Sequence, residues 1–250
     1  MAMPAPDSPV LVVTAIREEL GPILRHFDRL EAKRLGHLRV YRSGACSAPL
    51  VFSATGDGPS NAEQNARELC ALLRPTALLG VGIAGAVTPS LGALDLMAAA
   101  RIRNGSGDIC SADSILLSLA TGAGALPGIV VTVAAPVVTA AEKESLARAL
   151  PAGERAAVDM ESAAWARAAQ LCEVPFLAVR AIADTAREEL PDYLPECLGP
   201  RGGIRRTAVL VRALARPSSI PALLHWKRRV SDCAERLGVF LWDFFDCERW

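Results

Sequence analysis

The sequence predicts an α/β protein: a single domain on a central mixed, largely parallel sheet flanked by helices, with further helices at the C-terminus. Three observations lead there. Short apolar runs such as Val10–Thr14 and Phe176–Ala183 read as strands buried on both faces. Segments with helix-start signals and helical length separate these runs, and that alternation is how parallel strands are connected. The chain has 250 residues, 51% hydrophobic and 22% charged, enough for one sizeable core and too apolar for a disordered protein.

Val10–Thr14 is the first strand and Glu18–Phe27 the first helix, imperfect at Gly21-Pro22. Pro49–Ala54 is the second apolar run, ending in Thr55-Gly56-Asp57-Gly58-Pro59. Ser60 and Glu63 have the spacing of a capping box, which predicts a helix from there to Leu73. Ala77–Gly82 and Leu96–Arg103 follow as strands, with a glycine turn at Gly82–Ala86 between them. Ile129–Val133 is the next strand, and Thr139 with Glu142 opens a helix to Leu150 through a second capping box. Ala156–Val158 leads into a helix over Met160–Cys172, and Phe176–Ala183 is the last strand. Ile204–Ala215, broken by Pro217, and Ala222–Val239 are the C-terminal helices. The expected division is an α/β domain over residues 1–200 and a basic, aromatic helical segment over 201–250.

Basic and acidic residues balance at 27 each, which argues against nucleic acid as a partner. The balance conceals segregation. Cys197–Ser231 contains no acidic residue and eight basic ones: Arg201, Arg205, Arg206, Arg212, Arg216, Lys227, Arg228 and Arg229. Half of all aromatics lie in the last 25 residues, from Trp226 to Trp250. Basic residues beside Trp and Phe suit an anionic membrane surface; terminal helices packed on the domain with solvated arginines suit the pattern equally. Pro75–Leu94 and Ser114–Ala141 are free of charge, but glycine and proline interrupt both, so buried strands joined by turns are expected there, not spanning helices. The seven cysteines are odd in number and form no C-x-x-C pair, which reads as reduced thiols in a cytoplasmic protein. No secretion signal shows before Val10. His26, His37 and His225 have neither triad nor metal-ligand spacing, and no metal is expected.

Ligands of α/β sheets sit at the carboxyl ends of strands. Those ends carry the unusual residues: Arg17-Glu18-Glu19, Thr55–Pro59, Gly82–Ala86, Asp159–Ser162 and Asp184. Each has an ordinary explanation as well. Gly82-Ile83-Ala84-Gly85-Ala86 fits neither common phosphate-binding pattern, and a plain tight turn explains it equally. Asp159 and Glu161 suit the first turn of any helix, Glu18 and Glu19 likewise, and Asp184 suits a turn after a strand.

Together these blocks resemble the nucleoside phosphorylase/nucleosidase family, which includes purine and uridine phosphorylases and methylthioadenosine/S-adenosylhomocysteine nucleosidase. The resemblance rests on Ala15–Glu19, Thr55–Ala62, Gly82–Ala86, Val158–Ser162 and Val179–Asp184, in the family's order. It implies that Met160 packs on a ribose and Glu161 holds its 2′- and 3′-hydroxyls. It implies that Asp184 meets N7 of a purine leaving group and that Glu19 positions and activates water. Ile83, Ala84, Gly85, Val137, Val138 and Arg180 are implied as further substrate-binding residues. The implied chemistry is cleavage of an N-glycosidic bond, whose oxocarbenium-like transition state carboxylates stabilise. To act as an acid, Asp184 must hold a proton, which neighbouring Glu19 and Glu161 would favour.

Ile83 stands where many family members carry serine, Gly80-Val81 brings no arginine, and Leu94 replaces a glycine before Asp95. With Glu19 repelling a dianion, hydrolysis is expected over phosphorolysis, phosphate being the alternative co-substrate; no cofactor is implied. Ala135–Thr139 with Lys143, Arg187 with Leu190-Pro191, and Arg216-Pro217 before Ile220–Leu224 resemble the hopanoid-biosynthesis branch of the family. That branch implies adenosylhopane, a lipid-linked nucleoside, as substrate and a peripheral location on the inner face of the membrane. The alternatives are a methylthioadenosine, S-adenosylhomocysteine or futalosine nucleosidase, and a non-catalytic nucleoside-binding protein. A homo-oligomer is the family's usual state.

Overall fold

The computed structural model describes residues 8–44, 46, 48–197, 199, 208–209 and 220–245. Strands β1 (Val10–Thr14), β4 (Leu50–Ala54), β5 (Ala77–Ala86) and β10 (Phe176–Asp184) form the parallel centre of the sheet in the order β4-β1-β5-β10. A hairpin of β2 (Glu31–Leu35) and β3 (Leu38–Ser43) extends one side through β3 on β4. On the other side β6 (Leu96–Asn104) runs antiparallel to β10, and β8 (Leu126–Thr132) and β9 (Ala156–Asp159) continue parallel to β6. Strand β9 then pairs back onto β5 through Gly85↔Val158 and Ala86↔Ala157, closing β5, β10, β6, β8 and β9 into a ring. β7 (Gly107–Ser111) edges β6.

Helices cover both faces, as buried parallel strands require. On one face α2 (Pro59–Leu73) and α5 (Ser162–Leu171) bury Ala62, Ala66, Leu69 and the alanine-rich stripe around Trp165. On the other lie α1 (Arg17–Leu24), α3 (Ser114–Gly122) and α6 (Ile220–Phe244). α4 (Ala140–Arg148) flanks the ring near β8 and β9. The C-terminal helix is part of this core: Cys233, Leu237, Phe240 and Leu241 are buried where it packs on α1, β5 and β10. Trp242 meets Phe27 at 5.7 Å between ring centroids, and Glu235 pairs with His26 at 2.9 Å and with Arg25. Of the aromatic residues that suggested a membrane surface, Phe240, Trp242, Phe244 and Phe245 are packed in this core, and Trp250 lies outside the described residues. No helix among the described residues is long and apolar enough to cross a membrane.

Several expectations need correction. Gly82–Ala86 is the last half of β5 and not a turn. Its glycines serve close approach: a Cβ on Gly82 would stand 3.1 Å from Glu19 Oε1, and one on Gly85 2.7 Å from Asp184 Oδ2. The Ser60–Glu63 box does not cap α2. Gly58, at φ 84, is the N-cap, with Pro59 in the first turn, where a missing N–H costs nothing. The Thr139–Glu142 box forms as expected, with Glu142 N–H donating to Thr139 Oγ1 at 3.2 Å and Thr139 N–H to Glu142 Oε2 at 2.9 Å. Part of the charge-free stretch 114–141 is helix α3, capped by Asp113 through Ile115 and Leu116 N–H at 3.0 Å each. Leu94, in the glycine's place, takes φ 68, the left-handed conformation glycine suits. Cys46 is disulfide-bonded, whereas Cys70, Cys110, Cys172, Cys197 and Cys233 are free thiols. The helix expected over 204–215 lies outside the described residues apart from 208–209, which are helical.

Because α6 shares the core, Leu237→Ala should destabilise the whole protein by about 2–5 kcal/mol in urea unfolding. A loss below about 1 kcal/mol would mean that the helix is docked without supporting the fold.

Candidate active site

Strands β1, β5, β9 and β10 all end at one cavity of about 770 Å3. Its floor is built by register. Asp184 pairs with Gly85 across β10 and β5, and Gly85 pairs with Val158 across β5 and β9, so Asp184 and the Asp159–Glu161 turn are neighbours in one ladder. A bulge between Ile182 and Asp184 re-aims the aspartate.

Glu19 reaches the floor from α1. Its carboxylate accepts Ile83 N–H at 3.1 Å, Ala15 N–H at 3.2 Å and Ile16 N–H at 3.4 Å. Burial pushes its pKa up, and those amides with the Arg180 charge oppose the rise. Glu161 accepts Gly58 N–H at 3.0 Å. Burial, then the negative charge of Asp159, pushes Glu161 up to about 8, and Glu19 adds to the rise. Asp184 is buried and ion-paired with Lys143 Nζ at 2.5 Å. Burial raises its pKa; Lys143 and Arg229 lower it and Glu188 raises it. The charges that tune Asp184 are thus not those of Glu19 and Glu161, as expected, because its side chain turns toward α4 and α6.

Met160, Ile83, Ala84, Gly85 and Val137 line the cavity with Glu19, Glu161 and Asp184. Arg180 and Val138 do not. Arg180 lies beneath the floor, 1% exposed. Its Nε donates to Asp159 Oδ2 at 2.8 Å, one terminal nitrogen to Gly80 and Val179 carbonyls, and the other to Ser162 Oγ at 2.7 Å. Its guanidinium also lies 4.9 Å from the Trp165 ring centroid. Every donor is used, so Arg180 braces the Asp159–Ser162 turn from behind and has nothing left for a ligand. Val138 is buried, its N–H donating to Glu142 Oε2 at 3.1 Å and its carbonyl accepting Leu190 N–H at 2.8 Å.

Lys143 is the site residue that sequence reasoning left without a role. It stands in the first turn of α4, where the helix dipole disfavours a cation; that misplacement was a signal, beside its part in the branch resemblance, which implied no role for it. The roof comes from α6 through Leu224, Trp226, Lys227 and Val230. Of the basic cluster, Lys227 lines the cavity and Arg229 donates to Ala183 O at 3.4 Å. Among the described residues no group of three His, Cys, Asp or Glu side chains is placed to hold a metal ion.

Comparison with known proteins places this arrangement. The family described as Phosphorylase superfamily matches residues 9–214. The chain belongs to the phosphorylase superfamily. Among members of that superfamily, it is 24% identical over 199 residues to the 5′-methylthioadenosine/S-adenosylhomocysteine nucleosidase of Desulfotalea psychrophila, spanning 71% of this chain and 84% of the relative. The nucleosidase of the same name from Helicobacter pylori shares the fold at a TM-score of 0.74 and 18% identity, over 96% of this chain and 98% of its own. Futalosine hydrolase of H. pylori matches with the same TM-score, identity and coverage. In this phosphorylase-superfamily fold the return of β9 to β5 sets Asp184 and the Asp159–Glu161 turn side by side.

A buried acid with a raised pKa costs stability wherever the unfolded chain has ionised and the folded protein still holds the proton. Below the unfolded value Glu161 is protonated in both states; as pH climbs from there to about 8 the unfolded chain gains from ionisation that the folded floor resists, and the loss is complete once the folded group ionises. Glu161→Gln should therefore raise thermal stability at pH 8 to 9, by on the order of 1–3 kcal/mol, and leave it nearly unchanged at pH 4. Equal effects at both pH values would mean that Glu161 is not held protonated.

Proposed function

We propose that this protein is a nucleosidase that uses water to cleave the N-glycosidic bond of a 5′-substituted adenosine-type nucleoside. One observation carries the choice of water. The backbone amides that could cradle a phosphate in the floor, those of Ala15, Ile16, Ile83 and Gly58, are already taken by Glu19 and Glu161. A dianion there would meet carboxylates in place of N–H groups. The relatives named for methylthioadenosine and S-adenosylhomocysteine support the substrate class.

Each acid then has one task. Glu161, beside Met160, takes the ribose hydroxyls. Glu19, fixed by three amides, orients water toward C1′ and accepts its proton. Asp184 carries the proton for N7, so that the base leaves neutral as positive charge grows on the sugar. The Glu19 carboxylate, fixed in a dry floor, stabilises that charge without reorganising. Water is the only co-reactant, and no cofactor enters.

A second reading, adenosylhopane as substrate, has its own observation. The end of the cavity under α6 is apolar, formed by Leu190, Leu194, Leu224, Trp226 and Val230. The volume, about 770 Å3, falls in the upper part of the usual ligand range of roughly 300–1,000 Å3.

The deciding experiment incubates the protein with methylthioadenosine, S-adenosylhomocysteine, futalosine and adenosylhopane, with and without phosphate, and follows free base and sugar. Base release at equal rates in both conditions, with free sugar as product, is expected. Release that requires phosphate and yields a sugar 1-phosphate would overturn the hydrolase reading, and no release from any of the four would leave a binding protein. Asp184→Asn should lower kcat by about 10²–10⁴-fold with a much smaller change in KM.

A further inference from the structure

We propose that Lys143 is the positioning residue of the acid: its buried ammonium aims the Asp184 carboxyl into the cavity and lets the proton leave it. The proposal rests on the nucleosidase reading above, since it takes Asp184 as the proton donor to the base.

The lysine is in an unfavourable place. Its side chain is fully buried, and burying an ammonium costs several kcal/mol unless every proton finds a partner. It also sits in the first turn of α4, at the positive end of the helix. An apolar residue would fill the space without either cost. All three ammonium protons are accounted for: Nζ donates to Asp184 Oδ2 at 2.5 Å, Thr185 O at 2.8 Å and Glu188 O at 2.7 Å. One side chain thus grips the acid and the turn that follows it, and through Oδ2 it leaves Oδ1 for a ligand.

The charges facing Asp184 come from three elements. Lys143 lies on α4, Glu188 on the loop after β10, and Arg229 with the Cys233 thiol on α6. Arg229 is 3.9 Å from Glu188, so these two largely answer each other and Lys143 holds the direct contact. Burial raises the Asp184 pKa and the Lys143 ammonium opposes the rise, so the contact steadies the carboxylate left behind once the proton has gone. In the reaction the proton on Asp184 passes to N7 while the C1′–N9 electron pair goes to the base. Water oxygen bonds to C1′ and its spare proton goes to Glu19. Asp184 ends as a carboxylate paired with Lys143, the charge state this contact favours.

The test compares wild type with Lys143→Gln, which loses the charge, and Lys143→Arg, which keeps it. Adenine release from methylthioadenosine is followed from about pH 5 to 10, with thermal unfolding to confirm that each variant folds. Lys143→Met, similar in length and apolar, replaces Lys143→Gln should the latter not fold. In Lys143→Gln, kcat should fall about 10–100-fold with KM within about threefold. The alkaline limb should move to higher pH, because Asp184 holds its proton more tightly without the ammonium. Lys143→Arg should return the limb to its wild-type position. In an Asp184→Asn background the further change Lys143→Gln should alter kcat less than about twofold, since its effect runs through the acid. An unmoved limb, or a full loss in that background, would reduce Lys143 to packing and overturn the proposal. Carbon-13 titration of the Asp184 carboxyl reads the same coupling without turnover. A midpoint that rises in Lys143→Gln while wild type releases no base would sink the nucleosidase reading and leave the coupling standing. Base release with an unshifted midpoint would do the reverse.

Discussion

The buried pair of Asp159 and Arg180 is the constraint on which the rest of the floor depends. Asp159 Oδ1 accepts Thr132 Oγ1 at 2.8 Å, and Oδ2 accepts Ser162 N–H and two guanidinium nitrogens. Arg180 in turn binds the Gly80 carbonyl and lies on Trp165, whose Nε1 donates to Thr55 Oγ1. One ion pair therefore joins β5, β8, β10, the start of α5 and the end of β4. Such a pair adds little net stability over an apolar equivalent, but removing one member strands the other at a cost of about 3–5 kcal/mol. Its return is positional. The turn carrying Met160 and Glu161 is held from below, and burial, then the Asp159 charge, keeps Glu161 protonated further up the pH scale than a lone glutamate.

The three acids above this brace are held by different means. Glu19 is held by backbone amides, which cannot titrate, so its environment is set by the fold alone. Asp184 is held by an ammonium, a partner whose charge can be exchanged for none by one substitution. Glu161 has a single amide and two acidic neighbours, which makes it the least settled of the three without a ligand. On the proposed function a ribose would supply the donors it lacks, so that binding and relief of this frustration coincide.

Much of this was legible in the sequence. β1, β4 and β10 are near-continuous apolar runs because they are buried on both faces, and each ends where a site residue stands. The β2–β3 hairpin was invisible because β2 is exposed and charged, Glu31 to Arg34, and has no apolar alternation to read. Gly82–Ala86 was misread because glycine signals turns and close contacts alike, and only the positions of Glu19 and Asp184 distinguish them. Arg180 is instructive. It lies four residues before Asp184, and regular alternation would put both on one face; the bulge after Ile182 separates them, and no sequence rule announces a bulge. Lys143 was out of reach for a related cause: its partner lies 41 residues away, on a strand that only the tertiary fold brings to α4.

The roof and the floor have different origins in the chain. Residues from Glu19 to Asp184 make the floor, tied into the sheet by register and by buried charge; the roof comes from α6, anchored at its far end by Leu237, Phe240 and Leu241. Leu224, Trp226, Lys227 and Val230 lie on the first half of that helix, which meets the floor through Arg229, bonded to Ala183 O at 3.4 Å and 3.9 Å from Glu188. On the proposed reading, divergence can act on these four side chains alone. A lineage can change the group its enzyme admits by rewriting them, while Arg229 and the acids of the floor are inherited intact.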